Sequence, residues 1–152
     1  MEQWNKRYEE YPYATYVWLY LTQTLGYTPA VAAGIIGNMV AECGGTTLNL
    51  HYWAVSPGGA FYGLCQWSKT YFPDVRGQDL IYQCDYLANT IKEQFDYFGS
   101  SFRKGYTFET FLETQTPEEA AWAFAACYER CDTKSYGVRK NYAKMAYEYF
   151  VA

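Results

Sequence analysis

One acidic side chain stands out for its setting. Glu42 closes the stretch from Ala30 to Ala41, AVAAGIIGNMVA, in which Asn38 is the only polar side chain. A helix that is apolar on every side is a central, buried one. A carboxyl at the C-terminus of such a helix faces the negative end of the macrodipole with little water around it, and both effects raise its pKa. A carboxyl that keeps its proton at neutral pH is what a general acid needs to protonate a leaving oxygen. The plain alternative is a solvated Glu that ends a helix.

A second group follows after twenty turn-rich residues: Gly63-Leu64-Cys65-Gln66-Trp67. A side-chain amide beside an indole suits carbohydrate, because the amide bonds hydroxyls and acetamides while the ring stacks on the sugar face. Packing is the competing explanation, with Trp67 in a core and Gln66 satisfying backbone groups. Tyr52 and Tyr62, with Trp53 and Phe61, flank the turn Ser56-Pro57-Gly58-Gly59 and are candidates for sugar subsites. Asn38 lies one turn before Glu42 on the same face, placed to orient its carboxyl. Tyr128-Glu129, at the end of a later helix, is a candidate for the cleft's far wall, with a surface role for Glu129 the favoured reading. His51, the single histidine, is read as non-catalytic.

Two-carboxylate glycosidases need a second Asp or Glu across the scissile bond. None occurs between Glu42 and Asp74. Three arrangements stay open. Asp74, Asp79 or Asp85 reaches in from the next segment; the substrate's own acetamide or 6-hydroxyl serves; or Glu42 directs water with Thr46, Thr47, Ser56 or Tyr62.

The elements that must hold these residues are mostly helical. Tyr13, Val17, Leu21 and Leu25 recur every four residues before Gly26, and Thr28-Pro29 restarts a helix with cap and proline, expected to run to about Glu42. From Cys43 to Pro73 the helical period vanishes, and glycines punctuate short aromatic stretches that read as hairpin-like strands. Helical spacing resumes at about Gly77 with Leu80, Cys84, Leu87, Ile91 and Phe95 on one stripe, and Gly99 is the expected stop. A short helix is expected over Thr107 to Leu112, and Thr116-Pro117-Glu118-Glu119 starts another that ends near Cys131. Ser135 to Phe150 is the last, with Val138, Tyr142, Met145 and Tyr149 expected inward. This order predicts an α+β, predominantly helical fold, one domain over residues 1–152, with a small β-hairpin lobe at about residues 44–73 beside a helical lobe.

The stretch Gly34-Ile-Ile-Gly-Asn-Met-Val-Ala-Glu42-Cys, then Gly63-Leu-Cys-Gln-Trp67, then Gln83-Cys-Asp-Tyr-Leu87 resembles the phage tail lysozyme family, across roughly residues 13 to 150. More distantly it is similar to lytic transglycosylases and goose-type lysozymes, which share the lysozyme-like fold. The resemblance implies a peptidoglycan glycosidase in which Glu42 is the general acid at the β-1,4 bond between N-acetylmuramic acid and N-acetylglucosamine, with no metal and no cofactor. It also implies action on the bacterial wall from a phage virion or tail. Cys43 stands where the family commonly has Ser, and Cys65 fills the variable slot of the second motif. With both flanking the cleft, a Cys43–Cys65 disulfide is one expectation. Buried thiols are the reading for most of the five cysteines, whose spacing and single histidine do not make a zinc site.

Two other classes compete. A cysteine peptidase or amidase would use Cys43 or Cys65 with His51, but Cys43 falls at a helix C-terminus, where the dipole raises a thiol's pKa. A glycan-binding module would use the aromatics and have no need of a buried, acid-terminated helix. The net charge of −4 lacks the basic patch that nucleic acid requires. It also steers poorly toward an anionic wall, which fits a domain carried by a larger tail or lysin assembly. No window is apolar enough to span a membrane, and the polar opening MEQWNKRYEE does not read as a signal peptide.

Overall fold

The computed structural model describes residues 2–99 and 106–152. Its elements are α1 (Glu2–Glu10), α2 (Pro12–Leu19), α3 (Pro29–Met39), β1 (Phe61–Tyr62), β2 (Trp67–Ser68), α4 (Leu80–Glu93), α5 (Phe108–Leu112), α6 (Pro117–Phe124) and α7 (Tyr136–Val151). Four helices run on into wider, π-helical turns: α2 through Tyr20–Thr24, α3 through Val40–Gly44, α4 through Gln94–Gly99 and α6 through Ala125–Glu129. The residues after Gly99, where a stop is expected, lie outside the described ones. The fold is α+β, predominantly helical and lysozyme-like, as expected.

Helix α3 is the axis of the molecule. Thr28 caps it, its Oγ1 accepting from Val31 N at 3.2 Å, and every residue from Ala30 to Met39 is buried. It packs against α6 and α7, and its glycines set how close they come. A Cβ on Gly34 would lie 2.5 Å from Ala120 Cβ, and one on Gly37 would lie 2.5 Å from Ala143 N. Both contacts are with another helix's main chain or its first carbon, so neither can be relieved by a rotamer change.

The inward face of α7 corrects the expectation. Tyr136, Arg139, Ala143, Ala146 and Phe150 are buried, whereas Val138 is 40% exposed and Tyr142, Met145 and Tyr149 are only partly covered. The helix is rotated because the close approach at Gly37 demands the small Ala143, and because α3 supplies polar partners that let Arg139 go inside. A second difference is α1, over residues read only as polar and charged. With no apolar stripe of its own, it is held by Arg7, whose guanidinium lies 4.4 Å over the Trp4 ring and donates from Nη2 to Ala152 O at 3.0 Å.

The segment from Gly45 to Phe72 is mostly turns around one antiparallel pair, with Phe61 opposite Ser68, Tyr62 opposite Trp67, and Val55 bridging Tyr62. Its organiser is Gln83, a fully buried amide on α4. Gln83 Oε1 accepts from Leu64 N at 2.8 Å, and Nε2 donates to Tyr52 O at 2.8 Å and Gln78 O at 2.9 Å. Gly63, at φ +87°, leaves no room for a Cβ, which would stand 2.5 Å from Gln83 Oε1.

Candidate active site

Glu42 and Glu129 ride on two of the wide turns, at the ends of α3 and α6, and Arg139 of α7 reaches between them. Arg139 Nη2 donates to Glu42 Oε2 at 2.9 Å, Nη1 donates to Asn38 Oδ1 at 2.9 Å, and Nε donates to Ser135 Oγ at 3.0 Å. Its Nη1 also stands 3.8 Å from Glu129 Oε2. Asn38 is fully buried and spends its amide on Gly34 O at 2.9 Å and Ala121 O at 3.1 Å, so its carbonyl is fixed toward Arg139. Asn38 thus orients Glu42 through the guanidinium rather than directly.

Exposure divides the two acids. The Glu42 side chain is 19% exposed and the Glu129 side chain 5%. The surface position expected for Glu129 is therefore corrected: α6 carries it inward because the preceding Ala123 to Tyr128 are all buried. Burial, then the neighbouring Glu42 and a hydrogen bond with it, push the Glu129 carboxyl well above the ordinary Glu value, against the opposing pull of Arg139. For Arg139, burial disfavours the charge, but Glu42 and Glu129 outweigh it and hold the guanidinium protonated.

A cavity of about 830 Å³ opens beside the pair. Gln66, Trp67 and Tyr71 from the β segment, Tyr86 and Thr90 from α4, and Glu129 are among the groups lining it. Glu129 lines this space and Glu42 does not, the two acids being joined through Arg139. Of the expected sugar contacts, Trp67 is nearly buried, its Nε1 donating to Tyr128 Oη at 2.8 Å and its ring edge-to-face with Tyr86 at 5.5 Å. Gln66, held at φ +50°, spends Nε2 on Ala54 O at 3.0 Å and Gly63 O at 2.9 Å, which shapes the cavity wall. Tyr62 is buried and donates to Gln78 O at 3.0 Å, and Tyr52 packs edge-on against Tyr13 and Trp53.

None of the three candidate second acids is among the residues lining the cavity. Asp79 caps α4 by accepting from Tyr82 N at 2.9 Å, and Asp85 accepts from Tyr20 Oη at 2.6 Å on the surface. Asp74 lies in the short turn Pro73–Val75, where its charge raises the nearby Tyr86 hydroxyl after burial has done so first. Among the described residues, which include all five cysteines, there is no disulfide, which corrects the Cys43–Cys65 expectation. Both thiols are buried, and burial, then the two acids and other neighbours, hold them protonated. His51 packs against Trp53, ring centroids 5.2 Å apart.

Arg139 escaped the sequence, and Glu129 is read there as a wall of the cleft only behind a surface role. The available signal was an uncompensated polar position, Asn38, inside an otherwise apolar helix: a buried amide of that kind requires a partner, and a buried cation then requires acids.

A mostly helical fold whose central helix ends in an acid, beside an aromatic-lined cavity and a small sheet, belongs to the lysozyme-like class. The chain belongs to the phage tail lysozyme family, whose description matches residues 12–150. It is accordingly a lysozyme-like, peptidoglycan-degrading enzyme of phage tail context. Comparison with curated proteins gave no match. Among the described residues no helix is long and apolar enough to cross a membrane.

Proposed function

We propose that the chain is a muramidase-type glycosidase that cleaves the β-1,4 bond between N-acetylmuramic acid and N-acetylglucosamine, with Glu42 as the acid that protonates the glycosidic oxygen. The observation that carries this reading is Glu42 itself: a partly exposed carboxyl fixed at 2.9 Å by a buried guanidinium, at the end of the molecule's most buried helix. Fixed geometry is what a general acid contributes beyond its proton. The 830 Å³ cavity has the size and aromatic lining for a stretch of glycan, with Gln66 and Trp67 in its wall and Asn38 as the anchor of the Arg139 fork.

No acid lies in residues 43–73, opposite Glu42 in sequence order. That favours a mechanism with one reacting carboxyl over Asp74, Asp79 or Asp85 as nucleophile. The nucleophile is then water, or the 6-hydroxyl of the muramyl residue, which would make the enzyme a lytic transglycosylase forming 1,6-anhydro ends. The chain acts on the wall from a phage tail or a larger lysin assembly, which supplies the delivery that its negative charge does not.

Mass spectrometry of muropeptides released from purified sacculi tests this. The native chain releases disaccharide fragments, and Glu42→Gln lowers release by about 10²–10⁴-fold. Full release by Glu42→Gln with loss in Cys43→Ala would replace the glycosidase by a cysteine peptidase or amidase. Wall binding with no fragments would leave a binding module. Reducing or anhydro ends distinguish the two glycosidic outcomes.

A further inference from the structure

Two large rings on the wall of the cavity are left in water. Tyr71 is 81% exposed and Phe61 is 45% exposed, and both line the same 830 Å³ space as Trp67, Phe72 and Tyr86. A single exposed ring is ordinary on a protein surface, but two on one concave wall, in company with three more, form a contact surface. The other three are engaged with each other: Trp67 and Phe72 meet Tyr86 edge-to-face at 5.5 Å and 6.3 Å between centroids. Among the described residues Tyr71 has no ring neighbour and its hydroxyl bonds nothing; its main-chain N approaches Ser68 Oγ at 3.5 Å.

The backbone beneath these free rings is fixed. Phe61 pairs with Ser68 across the sheet, and its main chain exchanges two hydrogen bonds with Ser56, N donating to Oγ at 3.0 Å and O accepting from N at 3.0 Å. The turn that carries Tyr71 is tied down by Lys69 N on Ala60 O at 2.9 Å, Phe72 N on Ser68 O at 2.8 Å and Thr70 N on Ser68 Oγ at 3.2 Å. Rings presented from a fixed main chain need little ordering when a ligand arrives.

We infer that Phe61 and Tyr71 form a stacking subsite for the saccharide, taking the C–H face of an N-acetylhexosamine of the glycan strand and not the peptide stem, an inference that rests on the glycosidase reading. A pyranose ring carries C–H groups on its faces and hydroxyls around its edge, so an aromatic ring covers the first while the second stays open to polar groups. The exposed carboxylate of Glu93, on α4, lines the same cavity and accepts from sugar hydroxyls. The acids and cation of the lining are Glu93, Glu129 and Arg130, whose Nη2 donates to Gln94 Oε1 at 2.5 Å. That set has no cationic excess to attract a peptide that bears carboxylates. Neither ring belongs to the Arg139 cluster that holds Glu42, so stacking serves bound substrate and transition state alike.

Calorimetric titration with N-acetylchitotetraose, a neutral saccharide with neither lactyl group nor peptide, is the test. It is made on the Glu42→Gln chain, so that turnover does not intrude. Adding Tyr71→Ala should raise Kd about 3- to 10-fold, and Phe61→Ala should do the same, whereas Tyr71→Phe keeps the ring and the affinity. Tyr71 is so exposed that its truncation removes little packing, and circular dichroism checks that the fold is kept. In the otherwise native chain Tyr71→Ala should raise KM for solubilised glycan strands by a similar factor with kcat unchanged. No binding of the saccharide, an unchanged Kd in folded Tyr71→Ala, or a fall in kcat with KM unchanged overturns the inference. So does Tyr71→Ala that loses binding of a soluble stem peptide and keeps that of the saccharide. Failure of the underlying reading looks different: native chain that releases no muropeptides while its rings still bind saccharide.

Discussion

Arg139 Nη2 donates to Glu42 Oε2 at 2.9 Å, joining residues 97 positions apart in the chain. The Arg139 side chain is 6% exposed, and its other nitrogens are committed to Asn38 and Ser135. The Glu42 carboxyl is therefore held by a helix from the far end of the sequence, and its position depends on how α7 seats on α3.

Replacing Arg139 by Met should cost about 3 kcal/mol, because it strips the counter-charge from two acids and strands the Asn38 carbonyl. Arg139→Lys keeps the charge but cannot reach two acceptors in a fixed fork, so it should recover part of the stability and less of the activity. Urea unfolding and muropeptide release on the same preparations check both.

Gly37→Ala places a methyl 2.5 Å from Ala143 N, where only a helix shift makes room. The expected cost is about 1–3 kcal/mol. Activity should fall more than stability at a temperature where the variant is still folded, since the shift carries Arg139 away from Glu42. Equal activity per folded molecule would show that the spacing of α3 and α7 does not set the site.

Gln83→Leu removes an amide that serves Leu64 N, Tyr52 O and Gln78 O together. Leu64 N and Tyr52 O are left without this partner, while Gln78 O keeps the Tyr62 hydroxyl, and the expected cost is about 2 kcal/mol. Hydrogen exchange should rise locally at Leu64 before global unfolding, because the turn, rather than the helices, loses its anchor.

The buried thiols predict slow chemistry. Burial holds Cys84 at about 12, with Asp85 adding to it, and burial likewise pushes Cys43 and Cys65 well above the ordinary thiol value. In native protein at pH 8 a thiol-specific reagent should react with Cys131, the only cysteine that is not buried, before these three. Cys43→Ala should keep the glycosidase activity.

Stability should fall with rising pH on account of Glu129. Its carboxyl is raised above the ordinary value of 4.5 in the folded chain, first by burial and then by Glu42. The folded state thus keeps a proton that the unfolded state releases, a contribution fully present below about pH 4.5 and lost as pH rises through the folded value. The slope from one such group is at most about 1.4 kcal/mol per pH unit. In Glu129→Gln that slope should vanish, so the variant gains on the native chain as pH increases in paired denaturation curves.

Much of the fold was legible because it follows from local rules. Thr28-Pro29 and Thr116-Pro117 announce helix starts by cap and fixed φ, and the apolar-all-round run from Ala30 to Ala41 can only be a central helix. The glycine-punctuated stretch after Cys43 forecast a small lobe there. The place of Glu42 was legible for the same reason, since the end of a buried helix is visible in one dimension.

Glu129 and Arg139 were not legible, and the physical reason is shared. A polar residue on a helix reads as solvent-facing unless a partner is known, and here each is the other's licence for burial, together with Asn38 and Glu42. The sequence by itself determined which helices form, which one is central and which acid ends it. Only the tertiary structure decided that α7 turns Arg139 rather than Val138 inward, and that the carboxyl beside Glu42 is Glu129. Those outcomes depend on the close approach of Gly37 to Ala143 and on charges meeting from three helices, which no single segment encodes.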